Sequence, residues 1–468
     1  MALTNDTGRV SPPPSGVVGL PIDFQQMMTN YLGEKEYALL AEALSSTAPT
    51  SIRVNKDKTF ILPEEEPVPW CEGGFYLKER PFFTFDPLFH AGCYYVQEAS
   101  SMFLSHVLRQ YVQEPVVALD LCAAPGGKST LALSKLPADS LLIANEVVRQ
   151  RANILAENII KWGNPNCIVT NNYAEDFQAF SDTFDLIICD APCSGEGMFR
   201  KDPDSIGEWS LANVDTCWRR QRDIVQDIWH TLKEGGLFIY STCTYNPLED
   251  EDNVAWIAQT LGAEVLSCHP LKEWGLTETN THFFPHRTKG EGFFISVLRK
   301  TRSNGQDTIS ERKRKKEKGN KIGKQMNKVP AELKGWLVVS QDFTIMEDKD
   351  AFHAFPTTHL HVLQQAKNTL KVVHSGIALA TVKGKNLQPS HSLSMSNNLN
   401  QEAFPKVEVD ESQAIAYLRT EALQLPPDTP RGYVLITHQG HPLGFAKNIG
   451  NRANNLYPTE WRIRKSEK

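Results

Sequence analysis

The sequence contains no run of roughly 18 apolar residues, the length a membrane-spanning helix needs, so no such helix is expected. It also lacks a basic start followed by an apolar core. SPPPSG, within residues 1–20, reads as part of a flexible leader and not as a secretion signal. Paired cysteine spacings are missing as well. Nine cysteines, an odd number scattered along the chain, argue against a disulfide framework and for free thiols in a reducing compartment, the cytoplasm. With no matched C-x-x-C pair, and with His438 and His441 read as turn residues lacking Cys or acid neighbours, no metal site is expected. There are no internal repeats and no heptads, so a monomer is the default expectation. Positive charge is not in excess either: the formal net charge is −6. Whole-chain charge says little about local potential, and residues 311–328 carry nine Lys/Arg against two Glu.

What is present, 468 residues with 41% hydrophobic and 22% charged, is the make-up of a soluble protein of several domains. Residues 21–95 combine an amphipathic helix (FQQMMTNYLGEKEYALLAEAL) with strand-like pieces such as SIRVN. Over residues 96–300 short β-rich runs (VVALDL, LLIANE, CIVTN, FDLIICD, LFIYST) alternate with turns and helical stretches. Helical spacing shows in Phe103, Val107, Leu108 and Tyr111, and again in Ile224, Val225, Ile228, Trp229 and Leu232. That alternation predicts an α/β, doubly wound parallel sheet covered on both faces. Residues 301–328 read as a basic linker, a solvated tether or alternatively an arm that grips phosphates. Beyond it, an intermediate α/β region (329–400) and a β-rich end (401–468) are expected to stand apart from the core. There GYVLITHQGHPLGFAKNIG predicts two strands around a His-Gln-Gly-His turn, and WRIR predicts one more strand.

DLCAAPGGKST, Asp120 to Thr130, follows a strand and opens a helical stretch. Small residues there let backbone N–H groups approach a ligand, and the helix N-terminus favours an anionic group. Twenty residues past Gly126, Glu146 ends the next strand, placed to accept hydrogen bonds from both hydroxyls of a ribose. The spacing G-x-G-x-x-G is absent, which weakens a nicotinamide reading.

Two cysteines follow two further strands: Cys193 in DAPCSGEG, just past Asp190, and Cys243 in STCTYNP. Open parallel sheets bind ligands at the carboxyl ends of their strands, so both thiols should face the same crevice. After Cys243, Asn246 is a helix-cap candidate with Pro247 at the first position and acids in the first turn. Cys189, inside its apolar run, reads as a buried small hydrophobe. A disulfide between Cys193 and Cys243 is conceivable but disfavoured inside a cell.

DLCAAPGGK, DAPCSGEG and STCTYNP together resemble the three signature motifs of the Nop/Sun family of RNA (cytosine-5) methyltransferases. HAGCYYVQEASSM (His90 to Met102) is similar to the segment leading into the first of them. The long basic linker and the GYVLITHQGHPLGFAKNIGNRANNLYP tail resemble the RsmF-type branch, which acts on bacterial small-subunit (16S) ribosomal RNA. The likeness implies a Rossmann-like methyltransferase core with S-adenosylmethionine as cofactor, an N-terminal RNA-binding extension at 21–95 and a PUA-like RNA-binding domain at 401–468. It implies that Cys243 is the nucleophile and that Cys193 assists product release. Cofactor contacts carried over are Cys122, Ala123, Ala124, Pro125, Gly126, Gly127, Lys128, Glu146 and Asp190; near the third strand Asn172, Tyr173 and Asp176 are alternatives. The chemistry has a reason: carbon 5 of cytosine is a weak nucleophile until a thiolate adds to carbon 6. Alternative readings are a transfer-RNA enzyme, an RNA-binding assembly factor of low turnover and, more remotely, a DNA methyltransferase.

A paired cytosine hides carbon 6, so the base must be unpaired or flipped out. Candidate phosphate contacts are Arg200, Lys201, Arg219, Arg220, Arg222, Arg287, Lys289, Lys447 and Arg452, with Tyr457 nearby. Phe199, Trp209 and Trp218 are stacking candidates, with core packing as the competing reading.

Overall fold

The computed structural model describes residues 19–58, 64–301 and 329–465. The leader and the basic linker therefore fall almost entirely outside the described residues. At its centre lies a nine-stranded sheet. Five parallel strands come from the expected runs: Val117–Asp120, Leu141–Asn145, Cys167–Thr170, Phe184–Asp190 and Leu232–Thr242. Leu141–Asn145 and Cys167–Thr170 are buried at every position, which is why they read as unbroken apolar runs and not as alternation. Across the sheet the order runs 263–266, 293–300, 232–242, 184–190, 117–120, 141–145, 167–170, 372–375. Strand Phe293–Lys300 joins antiparallel to Leu232–Thr242, and Thr281–Phe283 pairs with it from off that path. Helices Gly127–Lys135, Arg149–Trp162 and Leu211–Ile228 connect the parallel strands. The helical spacing marked Leu104–Tyr111 and the end of Leu211–Ile228, but Trp229 lies in a 3-10 turn and Leu232 opens the next strand.

Three readings of the sequence are corrected. The N-terminal amphipathic stretch is two helices, Ile22–Leu32 and Glu34–Leu44, because Gly33 at φ 85° ends the first by donating its N–H to the Thr29 carbonyl. WRIR is not a strand. Trp461 closes a 3-10 turn (Thr459–Trp461), and the third strand beside the Gly432–His438/His441–Asn448 hairpin is Ala453–Asn455. The region after the linker is not separate from the core. Val372–Ser375 pairs with Cys167–Thr170 as an edge strand, and helix Leu360–Thr369 buries Val362, Leu363 and Ala366 in the same cluster as Leu119, Ile143 and Phe184. An exposed sheet edge invites mispairing, and here a returning strand covers it.

The termini meet too. A small antiparallel sheet (Glu66–Pro67, Gly74–Leu77, Thr50–Val54, Tyr94–Val96) shares one core with the C-terminal sheet, Ile52 and Tyr94 packing with Val434, Leu443 and Tyr457. Among the described residues no helix is long and apolar enough to cross a membrane.

If residues past the linker complete the central core, Leu363→Ala, at a side chain 1% exposed, will lower the stability of the central sheet by about 2–5 kcal/mol. Denaturant unfolding followed by amide exchange in strand Cys167–Thr170 checks this; a loss confined to the C-terminal segments would refute it.

Candidate active site

Strands Phe184–Asp190 and Leu232–Thr242 run parallel with Asp190 opposite Ser241, so both chains leave the sheet at one level. Their loops bring the sulfurs of Cys193 and Cys243 to 3.2 Å, with both cysteines free. Two buried carboxylates hold the loops there. Glu249 accepts from Ser194 N (3.1 Å), Gln221 Nε2 (2.7 Å) and Asn246 Nδ2 (2.8 Å). Glu196 accepts from Tyr245 N (2.8 Å), Trp209 Nε1 (3.1 Å) and Asn246 Nδ2 (3.0 Å). Gly197 N donates to the Cys243 carbonyl at 2.9 Å; a Cβ on Gly197 would stand 2.9 Å from that oxygen, so only glycine fits. Burial pushes the Glu249 carboxyl up to about 7 and raises that of Glu196.

The Cys193 thiol lies well above its ordinary range, first because of its hydrogen bond to Cys243 and then because of burial. Either thiol can donate in this contact. On the other side Lys128 Nζ pairs with the Asp190 carboxylate at 2.8 Å, and Asp190 Oδ1 accepts from Ser241 Oγ at 2.8 Å. Burial works to lower the Lys128 ammonium, but Asp190 outweighs it, with Cys243 acting in the same direction, and the net shift is upward. The nucleophile candidate thus has a fixed cation nearby and a second thiol in contact.

The second half of the crevice opens where the strand order reverses, at Val117–Asp120. Gly126, at φ +116°, turns the chain into helix Gly127–Lys135. Ser129 Oγ donates to Asp120 Oδ2 at 2.6 Å, while Asp120 Oδ1 is buried with no protein partner. Burial, reinforced by Asp190 and Glu146, pushes the Asp120 carboxyl up to about 7. Glu146 accepts from Val148 N (2.9 Å) and faces Arg151 Nη1 (3.4 Å), and Arg151 Nη2 donates to the Ala124 carbonyl (2.8 Å). Asn171 Nδ2 donates to the carbonyls of Glu146 and Val147 and ties the end of the third strand to that turn; Val147 and Tyr173 are both exposed. Carboxylates around one glycine-bearing loop suit a ligand with a sulfonium charge and ribose hydroxyls, and apolar rims suit its adenine. The residues present fit S-adenosylmethionine.

Cys122 contributes backbone to this loop; its thiol sits against Cys189 and is raised by that hydrogen bond and by burial. Of the third-strand alternatives, the Asn172 side chain is buried and held in place, its Oδ1 accepting from Lys371 N (2.9 Å) and its Nδ2 donating to Asp176 (3.0 Å). Tyr173 is the open one.

The basic candidates divide. Arg200 faces inward, its side chain 6% exposed, bonded to Glu291 (2.8 Å), to the Ala43 carbonyl (3.2 Å) and to the Gly290 carbonyl (2.5 Å). It pins helix Glu34–Leu44 to the core, and its burial keeps it from a phosphate on the surface. Arg222 bonds Asn253 Oδ1 at 2.8 Å and stacks on Trp218, and Arg287 and Lys289 pair with Glu36 and Glu66. Lys201, Arg220 and Arg452 are exposed, as is Arg219, which pairs with Asp215 one helical turn back; Lys447 lies over the Tyr433 ring. Phe199 and Trp209 pack on Phe24 at 5.2 and 5.6 Å, and Tyr457 is buried against Tyr417. His438 and His441 face each other at the end of their hairpin. Asn246 does accept from Glu249 N at 3.0 Å, but it caps only a turn: Asp250, at φ −101° and ψ −91°, interrupts the chain and the helix starts at Glu251. The reading from sequence missed Arg151, Glu196 and Glu249; an acid after each cysteine motif was their one signal.

A parallel sheet with this strand order, an antiparallel last strand, and a glycine loop and acid at its switch point define an S-adenosylmethionine-dependent methyltransferase. Comparisons narrow the class. Residues 108–299 match the family described as 16S rRNA methyltransferase RsmB/F, residues 20–99 the N-terminal domain of 16S rRNA methyltransferase RsmF, and residues 404–463 the RsmF PUA domain. Ribosomal RNA small subunit methyltransferase F of Shewanella loihica is 31% identical over 414 residues, covering 84% of this chain and 83% of its own. The Aliivibrio fischeri protein of the same name is 30% identical over 472 residues, covering 93% and 95%. A crystallised methyltransferase homologue from Pyrococcus horikoshii is 28% identical with a TM-score of 0.52, over 60% of this chain and 96% of that one. The chain belongs to the RsmF family of 16S rRNA methyltransferases.

Two outcomes follow. Arg200→Ala, which strands Glu291 as a buried charge, will cost about 3–5 kcal/mol in a denaturant titration. A value near zero would return Arg200 to the RNA surface. Glu249 has a folded pKa above its unfolded one, so its contribution to stability is complete below the ordinary carboxylate range and is lost as pH rises through about 7. The melting temperature will fall between pH 5 and 7.5, roughly, and Glu249→Gln will flatten that fall. An unchanged slope would contradict the assignment.

Proposed function

We propose that this protein methylates carbon 5 of cytosine in 16S ribosomal RNA by covalent thiol addition, with Cys243 as nucleophile. The observation that carries the reading is the 3.2 Å contact between two free thiols at adjoining strand ends, beside Lys128 and the cofactor loop. The substrate class follows the names of the relatives, RNA small subunit methyltransferases.

When bound, S-adenosylmethionine supplies an electrophilic methyl group on a sulfonium. Lys128 favours the Cys243 thiolate, which adds to carbon 6 of a flipped-out cytosine. The electron pair gathered at carbon 5 is what takes up the methyl. Asp190, held by Lys128 and Ser241, positions the ring or relays a proton on it. Cys193, as its thiolate, is assigned as the base that takes the carbon-5 proton and passes it to solvent. The electron pair left at carbon 5 re-forms the ring double bond as the carbon 6–sulfur bond breaks, and Cys243 departs as thiolate. The contacts to the cofactor are assigned to the loop Cys122–Lys128, to Glu146 and to Asp190, with Tyr173 and not the Asn172 side chain at the third strand.

Residues 21–95 and 401–468 are proposed to hold RNA, with Lys201, Arg219, Arg220 and Arg452 as phosphate contacts on exposed surface. The enzyme acts where ribosomal RNA is found, in the cytoplasm. A Cys243→Ala protein will lose methyl transfer to labelled RNA by several orders of magnitude, and wild-type turnover would refute the mechanism. Cys193→Ala will still transfer a methyl but leave RNA attached to protein on a denaturing gel; no accumulated adduct would remove Cys193 from its role.

A further inference from the structure

Arg53 lies on strand Thr50–Val54 of the N-terminal segment and is only 1% exposed. Its guanidinium reaches into the catalytic domain. Nη2 donates to Thr130 Oγ1 at 2.6 Å and to the Gly127 carbonyl at 3.3 Å, while Nε donates to Gln97 Oε1 at 2.8 Å. The guanidinium carbon stands 4.5 Å from the centre of the Trp162 ring, and Trp162 Nε1 donates to Ser134 Oγ at 3.0 Å. One cation thus touches helix Gly127–Lys135 and the end of helix Arg149–Trp162, the two helices that begin beside the glycine loop and Glu146.

All of these partners are neutral, and no carboxylate pairs with Arg53 among the described residues. Burial lowers the guanidinium to about 10, far enough above neutrality for its charge to persist. A buried charge without a counter-ion is costly, and a cation beside the first turn of a helix is opposed by the helix dipole as well. What the cation supplies is direction. Thr130 Oγ1, which accepts from Arg53, donates to the Gly126 carbonyl at 2.8 Å, and Thr130 N donates to the same oxygen at 2.9 Å. The carbonyls of Gly126 and Gly127 are therefore both drawn to the side on which Arg53 and Thr130 stand. In a planar trans peptide the following N–H points the opposite way. The amides of Gly127 and Lys128 are accordingly turned back to the loop, where an anionic group such as a carboxylate is favoured.

We propose that Arg53 is a positioning residue for the cofactor: through Thr130 it fixes the turn that presents the Gly127 and Lys128 amides to S-adenosylmethionine. This role rests on the assignment of the loop Cys122–Lys128 to the cofactor. The same turn is closed in by the neighbours of Arg53, since a Cβ on Gly127 would meet Tyr95 at 3.5 Å and Gln97 at 3.6 Å. The N-terminal segment thereby frames the cofactor site from outside the catalytic domain, in addition to the part proposed for it in holding RNA.

Titration calorimetry of the full chain with S-adenosylhomocysteine reads the affinity, and steady-state rates separate the KM for S-adenosylmethionine from kcat. Arg53→Gln will weaken binding about tenfold and raise the cofactor KM by a like factor, with the KM for RNA unchanged. A merely structural role would instead lower the active fraction, and with it kcat, leaving both KM values where they were. Thr130→Val, equal in size, will show the same loss of affinity, and Thr130→Ser, which keeps the hydroxyl, will restore it. In the Arg53→Gln background Thr130→Val will add little, because the two act in one chain of hydrogen bonds. Should Arg53→Gln fail to fold, the Thr130 pair decides. Unchanged cofactor affinity in Arg53→Gln, or in Thr130→Val, overturns the proposal. Glu146→Ala shows how far the failure extends: weakened binding there alone removes only the role of Arg53, while unchanged binding in all three variants removes the cofactor from this loop as well.

Discussion

Everything at the active site depends on two chains leaving a parallel sheet at the same level. Asp190 and Ser241 are register partners, and the loops that follow return Cys193 and Cys243 to sulfur–sulfur contact. Such a contact does not hold itself. Glu196 and Glu249, buried and crossed by Asn246, anchor backbone and side-chain groups of both loops, so a shift in one thiol is resisted from the other side. Buried acids are expensive, and their presence makes sense where position matters more than stability.

Charge is divided across the crevice. Asp120, Glu146 and Asp190 gather on the side of the glycine loop and suit a cationic sulfur. Lys128 stands between Asp190 and the Cys243 thiol, so one ammonium serves both the cofactor loop and the nucleophile. The asymmetry between the two thiols lies in their surroundings: Lys128 acts on Cys243, while burial and the contact with Cys243 raise the Cys193 thiol.

The parts legible in the sequence are those whose physics is local. Fully buried strands read as apolar runs, the glycine loop and Glu146 kept their spacing, and both cysteines stood at strand ends. The corrections concern partners far apart in the chain. Nothing near Arg200 announces Glu291, and nothing near Val372 announces the open edge of Cys167–Thr170. Gly33 was visible but its φ was not, so one helix was read where two exist.

The central claim is that the Cys243 sulfur bonds to carbon 6 of the target base. Ribosomal RNA fragments carrying 5-fluorocytidine test it directly, because fluorine at carbon 5 cannot depart as a proton does and the adduct is trapped. Peptide mapping of the trapped complex by mass spectrometry will find the nucleotide on the peptide that contains Cys243. A nucleotide on the Cys193 peptide, or methylation with no protein-linked RNA at all, would contradict the account.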